Sequence, residues 1–193
     1  AGKSGLMHQY ALALASEIRR RAGEMPVGER ATIYFGGGTP SLLPIDDLNI
    51  IIKSLKETKL WCEPAEITME MNPGTVDFAK LRQYREMGID RVSFGVQSLN
   101  DKELKTIGRL HTASEALQAI EQAYKAGFER ISADLIFGLP TQTLATFKET
   151  LATIVTSAIS HMSVYGLTVE EETPLSAMLA NGSLVLPSEE EAE

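Results

Sequence analysis

A chain of 193 residues with 44% hydrophobic content has material for one globular domain. Its formal charge of −8, from 26 acidic and 18 basic residues with no compensating Lys/Arg stripe, argues against a nucleic-acid partner. A single cysteine, Cys62, excludes an internal disulfide framework and suits a reducing compartment; no apolar run reaches transmembrane length and no signal-peptide pattern opens the chain, so the expected location is cytoplasmic.

Two periodicities alternate along the chain. A helix from about Leu6 to Arg21 comes first. Five short runs, Ala31–Phe35, Glu66–Met71, Arg91–Val96, Arg130–Phe137 and His161–Leu167, then read as strands buried on both faces. Between them lie apolar stripes of helical spacing: Leu48, Ile51, Ile52 and Leu55; Leu117, Ile120 and Tyr124; Phe147, Leu151, Ile154 and Val155. Gly88 and Gly127 stand where helix C-caps belong, and Asp46 and Thr143 are candidate N-caps. The strand spacing suits right-handed crossovers, so the fold class is α/β with a parallel sheet. Five strands do not close an eight-stranded barrel. Residues 1–185 read as the folded unit, and 186–193, with Glu189, Glu190, Glu191 and Glu193, as an acidic tail or the start of a linker.

Special residues gather where these strands end. The first strand runs into Gly36-Gly37-Gly38-Thr39-Pro40, and three glycines in a row, each costly in chain entropy, suit a ligand lying against the backbone. The second ends in Glu70-Met71-Asn72-Pro73-Gly74, the third in Gly95-Val96-Gln97-Ser98. The fourth carries Asp134 and ends in Gly138-Leu139-Pro140, and the fifth carries Tyr165. Carboxyl ends of strands are where α/β folds place ligands. Glu70 and Asp134 sit inside apolar strands, where a carboxylate is costly without donors, and both are site candidates. Gln97 either serves the site or satisfies neighbouring backbone. Arg109 either points into the site from the turn at Gly108 or is a surface charge. His8 reads as a surface residue and His161 as a satisfied structural histidine. Gly2-Lys3-Ser4 is a weak echo of a phosphate loop, without the strand that should precede it. No lysine lies in a strand and no Gly-x-Ser-x-Gly elbow occurs, which sets aside Schiff-base and serine-hydrolase chemistry. Two carboxylates, an amide and an arginine suit a zwitterionic, hydroxylated ligand.

Six motifs in order, Tyr34–Leu43, Met69–Gly74, Ser93–Ser98, Ile107–His111, Ala133–Thr143 and His161–Leu167, resemble the radical S-adenosylmethionine enzymes of the oxygen-independent coproporphyrinogen III oxidase group. Gly-Val-Gln-Ser followed by Gly-Arg-x-His is more similar to its heme chaperone branch than to the true oxidase. The resemblance implies a partial (β/α)6 TIM-like barrel that lacks its first strand in this chain. It implies that the Gly37, Gly38 and Thr39 backbone holds the methionine amine and that Glu70 binds S-adenosylmethionine. Arg109 would meet its carboxylate, Gln97 with Asp134 the ribose hydroxyls, and the backbone at Phe137 and Gly138 the adenine. It further implies a [4Fe–4S] cluster held by a Cys-x3-Cys-x2-Cys loop, heme or porphyrin as partner, and a transient membrane-protein heme acceptor. Cys62 cannot replace three thiolates, so the expectation is an incomplete piece that does not cleave S-adenosylmethionine by itself. No side chain is expected to be catalytic or to bind a metal. The alternatives are a genuine oxidase that decarboxylates propionates, or an unrelated barrel enzyme with a phosphorylated substrate.

Overall fold

The computed structural model describes residues 3–24, 32–61 and 66–188. Cys62, Gly2 and the acidic run from Glu189 lie outside the described residues. Five strands, β1 (Ile33–Phe35), β2 (Ile67–Met71), β3 (Arg91–Gln97), β4 (Arg130–Phe137) and β5 (His161–Gly166), form one sheet in the order β1-β2-β3-β4-β5. Every neighbouring pair is parallel. Each crossover therefore advances one place in the same direction, as in a barrel wall. Helix α1 (Lys3–Arg21) precedes β1 and packs on α2 (Ile45–Glu57). The other connections carry α3 (Phe78–Met87), α4 (Asp101–Thr106), α5 (Ala113–Lys125) and α6 (Leu144–Val155), and α7 (Pro174–Ala180) follows β5.

The core lies between the helices and alternate residues of the middle strands. Met69 and Met71 of β2, Val92, Phe94 and Val96 of β3, and Ile131, Ala133 and Leu135 of β4 are buried against Leu48, Leu81, Tyr84, Ile120 and Ile154. The other alternate positions, among them Glu70, Ser93, Gly95, Gln97 and Asp134, face the concave side. Successive residues over much of β2, β3 and β4 are buried, as expected of strands buried on both faces, although the concave face is polar. The expectation is corrected for the edge strands β1 and β5, which are not buried on both faces. Helix α5 buries Ala116, Ala119, Ile120 and Ala123 rather than a stripe ending in Tyr124, which is exposed; small side chains let the helix approach β3 and β4 closely. On α6, Ile154 is buried but Val155 is exposed.

Helix ends follow the local chemistry. Thr143 caps α6 and Thr112 caps α5, each in a reciprocal capping box. Asp46 is not a cap: Pro44 occupies that position and Asp46 lies in the first turn of α2, where its charge still suits the helix dipole. Asp47, one residue on, is buried and meets His8 Nδ1 at 2.6 Å, tying α1 to α2. His161 meets Ser132 Oγ at 2.9 Å, a structural contact, as its position at a strand start leads one to expect.

Candidate functional site

The carboxyl ends of β1 to β5 surround a cavity of about 440 Å³. Gly38, Thr39, Glu70, Gln97, Arg109 and Asp134 line it, so residues spread over nearly a hundred positions of sequence converge on one space. Gly37 is not part of that lining and opens on another, apolar cavity of about 390 Å³ between α1, β1 and α2. Phe137 and Gly138 lie just past the cavity wall formed by Asp134 and Ile136 and are not brought into its lining. Two of their polar backbone atoms have partners: Phe137 C=O accepts from Leu167 N at 2.9 Å, and Gly138 N donates to Gln142 Oε1 at 2.8 Å.

Glu70 spans the glycine loop. Its Oε2 accepts from Gly37 N at 3.2 Å and its Oε1 from the Tyr34 hydroxyl at 2.8 Å. Burial, with the hydrogen bond to Glu70 next, pushes the Tyr34 phenol up to about 12. Gly37 and Gly38 both take positive φ, 81° and 60°, which makes this loop accessible to the chain at low cost. Asp134 accepts from Ser93 Oγ at 3.2 Å to each oxygen. Burial raises its pKa above the ordinary carboxylate value, while the hydroxyls of Ser163 and Ser93 pull it back. Both serines face Asp134 because β3, β4 and β5 run in parallel register, with Ser163 directly paired with Asp134.

Arg109 is aimed by the end of α4. Gly108 takes φ 71°, its N–H bonds Lys105 C=O at 3.1 Å, and Arg109 N bonds Leu104 C=O at 2.9 Å, a closure that turns the next side chain back over the strand ends. Nη2 then donates to Asn72 Oδ1 at 2.7 Å and to Gly95 C=O at 2.6 Å. Its Nε is buried without a partner, and burial alone lowers its pKa; no carboxylate opposes it among the described residues. Gly95 is small because the guanidinium passes over it: a Cβ there would lie 2.9 Å from Arg109 Nη2 and 3.0 Å from Gln97 Nε2. Gln97 itself has φ 67°, where a side-chain-bearing residue is strained by about 1–3 kcal/mol.

Asn72, Ser93 and Tyr165 also line the cavity and were not among the expected site residues. Asn72 holds Arg109 through Oδ1 and donates from Nδ2 to Thr39 Oγ1 at 3.1 Å, joining the guanidinium to the glycine loop. Its place before Pro73 at the end of β2 was the available signal. His111, two residues past Arg109, is buried with Nε2 3.2 Å from Val96 C=O, and burial lowers its pKa; it braces β3 from outside the cavity.

The radical SAM superfamily pattern matches residues 8–154. This chain belongs to that superfamily. Over 187 residues it is 36% identical to the heme chaperone HemW of Bacillus subtilis, covering 96% of this chain and 49% of that protein. Against the heme chaperone HemW of Synechocystis the identity is 37%, covering 96% of this chain and 45% of the relative. The solved structure of the coproporphyrinogen III oxidase HemN from Escherichia coli superposes with a TM-score of 0.83 at 28% identity, over 100% of this chain and 44% of that one. The chain thus spans about half the length of these relatives, and its five parallel strands match part of a radical SAM TIM-like barrel. Superfamily membership carries S-adenosylmethionine and a [4Fe–4S] cluster as the implied groups. Their fit to this chain differs. The cavity offers the guanidinium of Arg109, two carboxylates and an amide to S-adenosylmethionine; one cysteine cannot hold a cluster. Among the described residues no group of His, Cys, Asp and Glu could hold a metal ion, and no helix is long and apolar enough to cross a membrane.

Proposed function

We propose that this chain is the S-adenosylmethionine-binding part of a radical SAM heme chaperone. The observation that carries the cofactor half is Arg109: a guanidinium with a buried, unpartnered Nε and no opposing carboxylate lacks an anion, and it lines the same cavity as Glu70, Gln97 and Asp134. In this reading Arg109 takes the methionine carboxylate, and Gly38 and Thr39, beside Glu70, receive the ammonium group. Gln97 and Asp134 accept and donate at the ribose hydroxyls. Gly37 N–H anchors Glu70, so its part is to hold that carboxylate in place. The backbone at Phe137 and Gly138 would flank the adenine, with the Gly138 N–H already given to Gln142. These side chains would bind and orient S-adenosylmethionine, and the radical chemistry it would supply belongs to the cofactor and not to them.

Identities of 36% and 37% to heme chaperones over nearly the whole chain support the heme-handling half. The fold likeness to the coproporphyrinogen oxidase supports a second reading, oxidative decarboxylation of porphyrinogen propionates. Equilibrium titration with S-adenosylhomocysteine tests the first half: saturable 1:1 binding is expected, and none would refute it. Hemin titration followed in the Soret region, set against coproporphyrinogen turnover by the complete, cluster-loaded protein, separates the two readings.

A further inference from the structure

Glu103, on α4, is fully buried, yet among the described residues no cation pairs with it. Its Oε2 accepts from Ser98 Oγ at 2.7 Å and from Gln142 Nε2 at 3.0 Å, and its Oε1 from Thr146 Oγ1 at 2.6 Å. A buried carboxylate is expensive, and one satisfied only by neutral donors suggests that its geometry is used. Two of its partners belong to the strand ends that carry the cavity lining. Ser98 directly follows Gln97. Gln142 donates from Nε2 to the carbonyl of the lining residue Ile136 at 3.2 Å, while its Oε1 accepts from Gly138 N at 2.8 Å and Leu139 N at 3.3 Å.

The pairing of β3 with β4 is irregular at this point. The β3–β4 register shifts between Gly95 and Gln97. Ser98 N bonds Val96 C=O at 2.9 Å, which makes Gln97, at φ 67°, the apex of a γ-turn of the strained hand. Such a turn persists only where its surroundings over-determine it. Here the surroundings are Ser98, held by Glu103 on one side and accepting from Asn100 N at 3.0 Å on the other.

We infer that Glu103 is a positioning residue: through Ser98 and Gln142 it fixes the spacing of the β3 and β4 ends and so aims the Gln97 amide, beside Asp134, at ligand hydroxyls. Glu103 touches no ligand itself, since it does not line the cavity. The inference rests on the S-adenosylmethionine reading above and names the part of the ligand that this carboxylate governs.

The test compares the affinities of S-adenosylhomocysteine and its 2′-deoxyribose analogue in four proteins. Wild type prefers the hydroxylated ligand by about tenfold, one hydrogen bond to a charged group. In Glu103→Leu that preference falls below about twofold while affinity for the deoxy analogue is retained. Ser98→Ala gives the same loss with the buried carboxylate still present, so the answer survives if Glu103→Leu does not fold. Glu103→Gln, which keeps an acceptor for Ser98 and Gln142, restores the preference. An undiminished preference in Ser98→Ala, or an equal weakening of both ligands in the variants, overturns the inference and leaves the cofactor reading standing. Wild-type protein that binds neither ligand overturns the cofactor reading, and this inference with it.

Discussion

Gly95→Ala separates the ligand site from the fold. The added Cβ would sit 2.9 Å from Arg109 Nη2, 3.0 Å from Gln97 Nε2 and 3.3 Å from Asn72 Oδ1, against 3.4–4 Å for ordinary contact. Those partners are the far ends of side chains, so they retreat and the strand stays. A retreat of 0.5 Å (3.4 − 2.9) to 1.1 Å (4.0 − 2.9) pulls the guanidinium from the 2.6 and 2.7 Å bonds that hold it. The backbone at Gly95 lies within β3, at the start of the register shift, and not in the left-handed region, so alanine also narrows the unfolded ensemble, a gain of about 0.4–1 kcal/mol that offsets the crowding. Net stability should change by less than about 1 kcal/mol. Binding should change far more: a displaced guanidinium forfeits a charged hydrogen bond of about 1.5–3 kcal/mol, a ten- to hundredfold loss. Calorimetric titration with S-adenosylhomocysteine beside thermal melting reads both quantities. Wild-type affinity in Gly95→Ala would refute the placement of Arg109 at the ligand; a large fall in melting temperature would refute the claim that only side-chain ends move.

Arg109→Lys keeps the charge but loses the fork, so it should weaken S-adenosylhomocysteine about tenfold and leave 5′-methylthioadenosine, which has no carboxylate, unaffected in the same titration. Asp134→Asn should weaken ligand binding and stabilise the empty protein. Burial raises the carboxyl's pKa in the folded state, so folding is favoured while the group is protonated and loses free energy as pH rises from the unfolded value of 3.8 through the raised one. The melting-temperature gain of Asp134→Asn should therefore be larger at pH 7 than at pH 4, and the opposite order would refute the sign. Thr143→Ala removes one capping box of α6 and should cost about 1 kcal/mol in denaturant unfolding with no change in ligand affinity.

Residues whose role follows from type and place along a strand were legible in the sequence. Gly38, Glu70 and Asp134 break apolar runs at strand ends, and Gly108 marks the turn that delivers Arg109. Residues whose role follows from register were not. Ser93 and Ser163 matter because parallel pairing sets them beside Asp134, and a serine in a strand carries no sign of that. Glu103 sits among Asp101, Lys102 and Lys105 and reads as one more charge on a solvated helix; only tertiary closure buries it. The polar inner face of the strands was visible as alternation in Ser93-Phe94-Gly95-Val96-Gln97, but the density of apolar residues hid it. Gln142 meets the N–H groups of Gly138 and Leu139 because the turn after β4 folds back on itself, a loop conformation that spacing does not encode.

The charge arrangement of the cavity decides between ligand classes. Burial pushes Asp134 toward its neutral form and Arg109 in the same direction, yet the two do not relieve each other: the charges acting on Asp134 are Glu70 and Arg91, and none acts on Arg109. The site therefore keeps an acid and a guanidinium apart across one cavity. A ligand with an anion at one end and hydroxyls and a positive centre further along relieves both. A phosphorylated ligand would satisfy Arg109 but would bring its charge close to Glu70 and Asp134, which repel it. Superfamily membership already removes the unrelated barrel enzyme. Inorganic phosphate should thus fail to displace S-adenosylhomocysteine, whereas free methionine, carrying the carboxylate and ammonium together, should compete. Competition by phosphate at constant ionic strength would mean that Arg109 answers to any anion and that the two carboxylates do not shape what this cavity accepts.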